Sequence, residues 1–162
     1  IEVGNIFHFG QKYSKPMNAA ITNEKGKNLP VFMGSYGVGV SRLVGGIIEA
    51  NHDENGIIWP KEVSPFMCSL INLNSDSLKC LEVSNRIYNY CIEKNIDVLF
   101  DDTKESIGSK LATADLIGFP YQIIIGPKGL KNDSFEIKTR NTNEIINLSL
   151  NEIFNFINEN MV

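Results

Sequence analysis

The sequence predicts two blocks in series. Residues 1–65 read as a strand-rich α+β segment closed by one helix. Residues 66–162 read as an α/β domain with a mainly parallel mixed sheet. Three observations carry this expectation. Pro60 and Pro65 bracket residues 61–64, and proline continues neither a helix interior nor a central strand. Before them lie short apolar stretches broken by glycine. After them strand-like and helix-like runs alternate, which implies parallel strands covered by helices on both faces.

In the first block, residues 2–9 mix Val, Ile and Phe with glycine and read as a strand. Residues 17–22 and 30–33 are further short apolar stretches. Between them, Asn23-Glu24-Lys25-Gly26-Lys27-Asn28 is polar with a central glycine, as a hairpin loop needs. Gly34-Ser35-Tyr36-Gly37-Val38-Gly39-Val40-Ser41-Arg42 then opens a helical run to Ala50. Its Leu43, Val44, Ile47 and Ile48 give the i, i+3, i+4 spacing of one buried face. Residues 51–56 end the helix in a turn.

In the second block, residues 67–73 read as a strand. Residues 77–93 read as a helix with Cys80, Val83, Ile87 and Cys91 on one face. Residues 97–100 form a strand, and 109–117 a helix stopped by Gly118. Residues 121–125 are a buried strand ended by Gly126-Pro127. Residues 135–138 and 145–148 are short strands, and 150–160 a final helix.

Composition bounds the rest. With 162 residues and 43% hydrophobic content the chain is globular rather than disordered. No apolar run reaches the length of a membrane-spanning helix. The three cysteines stand at no metal-ligand spacing and read as reduced core residues of a cytosolic protein. Net charge is −4. The first block carries 6 Lys/Arg against 6 Asp/Glu and the second 9 against 13. Any nucleic-acid contact in the second block is therefore a small local patch, not a basic field. Residue 1 is Ile, and a piece of a longer protein is the expectation.

Gly37-x-Gly39-x-x-Arg42 is the sharpest local feature. Two glycines let a backbone approach a ligand without an intervening Cβ. An arginine at the start of the helix can place a planar cation over a base or on a phosphate. The pattern is not the dinucleotide fingerprint, because Arg42 stands at the third glycine and no βαβ unit surrounds it.

The segment from Gly34 to Arg42 resembles motif 3 of class II aminoacyl-tRNA synthetases. Glu2-Val3-Gly4-Asn5-Ile6-Phe7-His8-Phe9-Gly10-Gln11-Lys12-Tyr13-Ser14 resembles the segment before motif 3 in bacterial-type prolyl-tRNA synthetases. Asn51-His52-Asp53-Glu54-Asn55-Gly56-Ile57-Ile58-Trp59-Pro60 resembles their exit from the catalytic domain. Asp101-Asp102 with Gly108, Lys110, Ala114-Asp115-Leu116-Ile117-Gly118 and Pro120 resembles the anticodon-binding domain that the prolyl, threonyl, histidyl and glycyl enzymes share. The resemblance covers essentially the whole chain, in order.

It implies that residues 1–65 are the end of an antiparallel class II catalytic sheet with its motif 3 helix, and residues 66–162 an anticodon-binding domain. Arg42 would contact ATP, and Gly37 and Gly39 would floor the adenylate pocket. His8, Ser35, Tyr36 and Gly37 would line a proline pocket. Asp102, Lys104, Glu105 and Lys110 are the candidate anticodon contacts. Three positions depart from the family pattern. Ser35 stands where relatives have cysteine, His8 where they have glutamine, and Thr103 where they have an arginine.

The implied reaction activates proline with ATP and transfers the prolyl group to tRNA(Pro), in a cytoplasmic homodimer using Mg²⁺ with ATP. The phosphate-binding arginine of motif 2 and the dimer interface of motif 1 are not in this chain, so these residues alone are expected not to aminoacylate. Two other classes compete. One is a non-catalytic synthetase-like tRNA-binding or accessory protein, which retention of Arg42 disfavours. The other is a small-molecule α/β binding module, which would leave the first block's strands without a sheet.

Overall fold

The computed structural model describes residues 1–162. They form two compact units, Ile1–Ile47 and Ile48–Val162.

In the first unit, β1 (Gly4–Gly10) pairs antiparallel with β4 (Met33–Val38), and β2 (Ala20–Thr22) with β3 (Asn28–Pro30). The expected hairpin loop is present. Asn23 Oδ1 accepts from the amides of Lys25 at 3.0 Å and Lys27 at 2.9 Å, which closes the turn. The strand expected over 17–22 is shorter, because residues 11–18 coil into turns. There the Lys15 amide donates to Gln11 O and the Met17 amide to Tyr13 O, each at 3.2 Å.

α1 (Val40–Ala50) starts as the Leu43 amide bonds Gly39 O at 2.8 Å. None of its residues is fully buried, and Leu43 and Val44 of the expected buried face stay exposed. A helix face is buried only where a second layer meets it.

The second unit opens with a small hairpin, β5 (His52–Asp53) and β6 (Gly56–Ile57), where the sequence suggests only a turn. There follow β7 (Cys68–Asn72), α2 (Leu78–Glu93), β8 (Val98–Asp101), α3 (Ile107–Ile117) and β9 (Tyr121–Ile125). α4 (Pro127–Asn132), β10 (Phe135–Thr139), β11 (Glu144–Leu148) and α5 (Leu150–Asn160) complete it. The sheet is mixed, in the order β11-β10-β9-β7-β8. β7 runs parallel to both β8 and β9, and β10 is antiparallel to β9 and β11. Serines start three helices: Ser77, Ser106 and Ser149 each accept an amide of the first turn, and Ser149 with Glu152 forms a capping box. α4 escapes the sequence reading because Gly126-Pro127 looks like a strand stop, whereas Pro127 is the helix's first residue.

Strand alternation supplies a core on each face. Cys68, Leu70, Tyr121, Ile123, Ile125, Phe135 and Ile137 meet α2 and α5 through Cys80, Ile87, Cys91, Ile153 and Ile157. Ile71 and Ile124 meet α3 through Ala114 and Leu111. Each such fully buried Leu or Ile contributes about 1.5–3 kcal/mol. The cysteines are unpaired and buried, and the Cys91 thiol with burial pushes the Cys68 thiol up. On α2 the buried stripe is Cys80, Ser84, Ile87 and Cys91, with Val83 only partly covered.

Residues 48–65 lie in the second unit, ahead of the junction expected at residue 65. The reason is local. The Trp59 amide bonds Gly118 O at 3.0 Å, and β6 packs on α3 at two glycines. A Cβ on Gly118 (φ 75°) would fall on the Ile57 carbonyl, and one on Gly56 (φ 147°) would lie 2.6 Å from Leu116 O.

Candidate functional site

In the first unit, Glu2 to Asn5, Phe7, Gly37, Gly39 and Arg42 surround an open hollow of about 290 Å³. The strand register explains its floor. Phe7 faces Ser35 and Asn5 faces Gly37 across the β1–β4 ladder, so these four share one side of the sheet. A Cβ on Gly37 would meet nothing within 4 Å, so the missing side chain leaves free space there. Gly39 bonds its amide to Val3 O at 2.8 Å and leaves room for Arg42, whose Cβ would lie 3.3 Å from an added methyl. Arg42 Nη1 donates to Glu2 O at 3.1 Å, which steers the exposed guanidinium along the rim.

The same register divides the expected proline pocket. Ile6 faces Tyr36 and His8 faces Gly34, so His8 and Tyr36 lie on the side opposite Ser35. The His8 ring stacks on Phe32 at 6.4 Å, and Tyr36 is 82% exposed. The four residues do not converge. Ser35 and Gly37 share the side that carries the hollow, whereas His8 and Tyr36 do not.

In the second unit, the C-terminal ends of β7, β8 and β9 lie beside the start of α3. This is the edge at which open α/β sheets bind ligands. Two hollows flank α3 there. One, about 280 Å³, has Ile71, Leu99, Phe100, Ala114 and Ile117 as apolar walls and Asp101, Thr103, Glu105, Ser109 and Lys110 as polar groups. Ser69 lines it with a buried hydroxyl that has no partner. The other, about 520 Å³, lies among Leu73, Ile107, Leu111, Ile124, Lys128 and Glu136.

The candidate anticodon residues fall on this edge. Asp102, Lys104 and Glu105 are exposed in the loop between β8 and α3. Lys104 Nζ pairs with exposed Asp76 at 2.8 Å. Such a pair is easily exchanged for another anion. Thr103 donates both its amide (3.1 Å) and its hydroxyl (2.6 Å) to Asp101 Oδ1.

The Anticodon binding domain family matches residues 67–160. The chain belongs to that family. It is 57% identical over 152 residues to a proline–tRNA ligase of Rickettsia bellii, covering 94% of this chain and 35% of the relative. It is 51% identical to the proline–tRNA ligase of a Wolbachia from Brugia malayi, over 98% of this chain and 37% of that one. The chain thus spans about a third of the curated relatives it matches. Among solved structures, prolyl-tRNA synthetase from Cryptosporidium parvum, crystallised with L-proline and AMP, superposes with a TM-score of 0.83 at 20% identity. That likeness, over 98% of this chain and 33% of the other, is one of fold.

Within the anticodon-binding domain, Lys110 corrects its sequence assignment. Its ammonium is buried and bonds Asn72 O at 2.7 Å, Asp101 O at 3.4 Å and Asp101 Oδ1 at 3.3 Å. It ties α3 to the ends of β7 and β8 and holds the loop that bears Asp102 to Glu105, so it is not a free phosphate contact. Burial raises the Asp101 carboxyl, but Thr103 and Lys110 together hold it below the usual range.

Sequence reasoning missed Arg140 altogether. It is fully buried at the end of β10 and grips Asp53 with both arms, Nη1 to Oδ2 at 2.7 Å and Nη2 to Oδ1 at 2.6 Å. Its Nε donates to Asp115 O at 3.1 Å. Asp115 in turn accepts from Lys138 at 2.6 Å and Gln122 at 2.8 Å. A basic residue at a strand end is an unremarkable sequence feature, so only the fold brings it to Asp53.

The Arg140 fork holds the Asp53 carboxyl far below the usual carboxylate range, against the opposing effect of burial. A depressed folded pKa gives stability that is complete above the unfolded value, near about 4, and is lost as pH falls toward the folded one. Urea midpoints should therefore be flat from neutral pH to about 5 and decline below about 4. Asp53→Asn should lower the neutral midpoint and flatten the acid decline. An unchanged acid slope in that variant would rule out the pair as its source.

Proposed function

We propose that this chain works as part of a proline–tRNA ligase, supplying one wall of the ATP site and the domain that reads the anticodon. The observation that carries the proposal is the extent of similarity. Identity to proline–tRNA ligases above 50% runs through 94–98% of the chain, so the Arg42 hollow and the anticodon-binding domain belong to one polypeptide.

The chemistry is positioning and charge neutralisation. The proline carboxylate attacks the α-phosphate of ATP, giving prolyl-adenylate and pyrophosphate. The terminal ribose of tRNA(Pro) then accepts the prolyl group. Arg42, at the first turn of α1, offers a planar cation to the nucleotide, and Gly37 and Gly39 let it lie against the backbone. Ser35 and Gly37 fit a proline-pocket wall on the same side of β1–β4. No group of three His, Cys, Asp or Glu able to hold a metal occurs in the chain. Mg²⁺ would arrive bound to the ATP phosphates. A two-stranded ribbon is marginal alone, and exposed Ile6, Phe32 and Tyr36 suit a larger catalytic sheet and the homodimer expected of such an enzyme. No helix is long and apolar enough to cross a membrane, and the cytoplasm is the expected site of action.

In the anticodon-binding domain, bases would enter the hollows flanking α3. Asp102 and Glu105 would accept from base edges, and Lys104 and Lys128 would meet phosphates. With the domain's acidic balance, binding should weaken only shallowly with salt. The test is charging by the full-length protein of tRNA(Pro) and of the same tRNA with its anticodon replaced. Charging should require the proline anticodon. Equal charging of both would remove the anticodon role, and no charging of either would remove the ligase reading.

A further inference from the structure

α1 carries Arg42 in its first turn and ends at Ala50, within the second unit. The chain leaving it is held tightly. His52 Nδ1 lies 3.2 Å from Ile48 O, and the Ile58 amide bonds Asn51 O at 2.9 Å. The β5–β6 hairpin then seats its two glycine-dependent contacts on the end of α3, where no side chain would fit. Asp53, the last residue of β5, is clamped by the buried fork of Arg140. Arg140 is itself tied to Asp115, and Asp115 to Lys138 and Gln122 on the α3 side of the sheet. A bidentate arginine–carboxylate pair fixes orientation as well as distance. A set of short, directional bonds therefore runs from the sheet beside the α3 hollows to the hairpin that follows the helix carrying Arg42 in its first turn.

We propose that Asp53 and Arg140 form a positioning lock that fastens the end of the motif 3 helix to the anticodon-binding domain, so that tRNA held by that domain reaches the activated prolyl group. The proposal rests on the ligase reading. Neither residue touches a reacting atom; both act through the hairpin. The lock matters for transfer to tRNA and not for activation of proline, because activation takes place within the catalytic domain and does not require tRNA held by the anticodon-binding domain.

The full-length protein tests this in two assays, proline-dependent ATP–pyrophosphate exchange and charging of tRNA(Pro). Asp53→Asn keeps the side-chain shape and is the mildest break. Arg140→Lys keeps the charge and loses the fork. Thermal midpoints identify any variant that no longer folds. In folded variants, exchange should stay within about twofold of wild type, while kcat for charging falls about tenfold or more with KM for tRNA little changed, as small misplacements of reacting groups do. The reciprocal exchange Asp53→Arg with Arg140→Asp should recover part of the charging rate. Parallel loss in both assays, or full charging by folded Asp53→Asn and Arg140→Lys, overturns the lock. A wild-type protein without proline-dependent exchange sinks the ligase reading, and the lock with it.

Discussion

Gly118→Ala should destabilise the second unit by about 3 kcal/mol or more. Two costs add. A non-glycine residue in the left-handed region costs roughly 1–2 kcal/mol, and Gly118 sits there at φ 75°. The new methyl also lands on the Ile57 carbonyl. Forcing atoms into a filled site costs about 1–3 kcal/mol, or displaces the hairpin. Gly108→Ala is the matched control. It lies in the first turn of the same helix with nothing within 4 Å of its added methyl, so it should be neutral or stabilise by up to about 1 kcal/mol. Urea midpoints of the two variants check this. A Gly118→Ala midpoint equal to wild type would mean that β6 does not depend on contact with the α3 C-cap.

Arg42→Ala should lower kcat/KM for ATP in proline-dependent exchange by about 100-fold, the scale for losing one preorganised donor to developing charge. Arg42→Lys should recover little, because an ammonium reproduces neither the planar fork nor its stacking. Affinity for tRNA(Pro), measured by filter binding, should be unchanged in both. A loss of tRNA affinity with ATP use intact would move Arg42 out of the nucleotide site.

Much of the fold was legible in the sequence. The strands from 67 to 148 and the helices ending at 93, 117 and 160 follow from periodicity and from Ser and Gly boundary signals. What escaped has a common physical cause. α4 is a six-residue helix whose proline reads equally as a stop. The β5–β6 hairpin has two-residue strands, too short for alternation to register, and its place in the second unit depends on glycine contacts with a helix sixty residues away in sequence.

The candidate site was legible where one local segment builds it and not where pairing does. Gly37, Gly39 and Arg42 are neighbours in sequence and share the hollow. His8 and Tyr36 were grouped with Ser35 by family resemblance, yet the β1–β4 register sends them to the other side. Lys110 has the composition of a phosphate contact, but its ammonium is consumed by two backbone carbonyls and Asp101. Arg140 and Asp53 are separated by most of the second unit, and no pattern of residue types announces that they meet.

The most direct measurement of the central claim is ATP–pyrophosphate exchange by the full-length protein with proline, alanine and cysteine offered separately. Exchange that depends on proline, exceeds that with alanine or cysteine and collapses in Arg42→Ala is the predicted result. Exchange indifferent to the amino acid, or no exchange at all in a folded protein that still binds tRNA(Pro), would contradict it and leave a tRNA-binding protein without the ligase reaction.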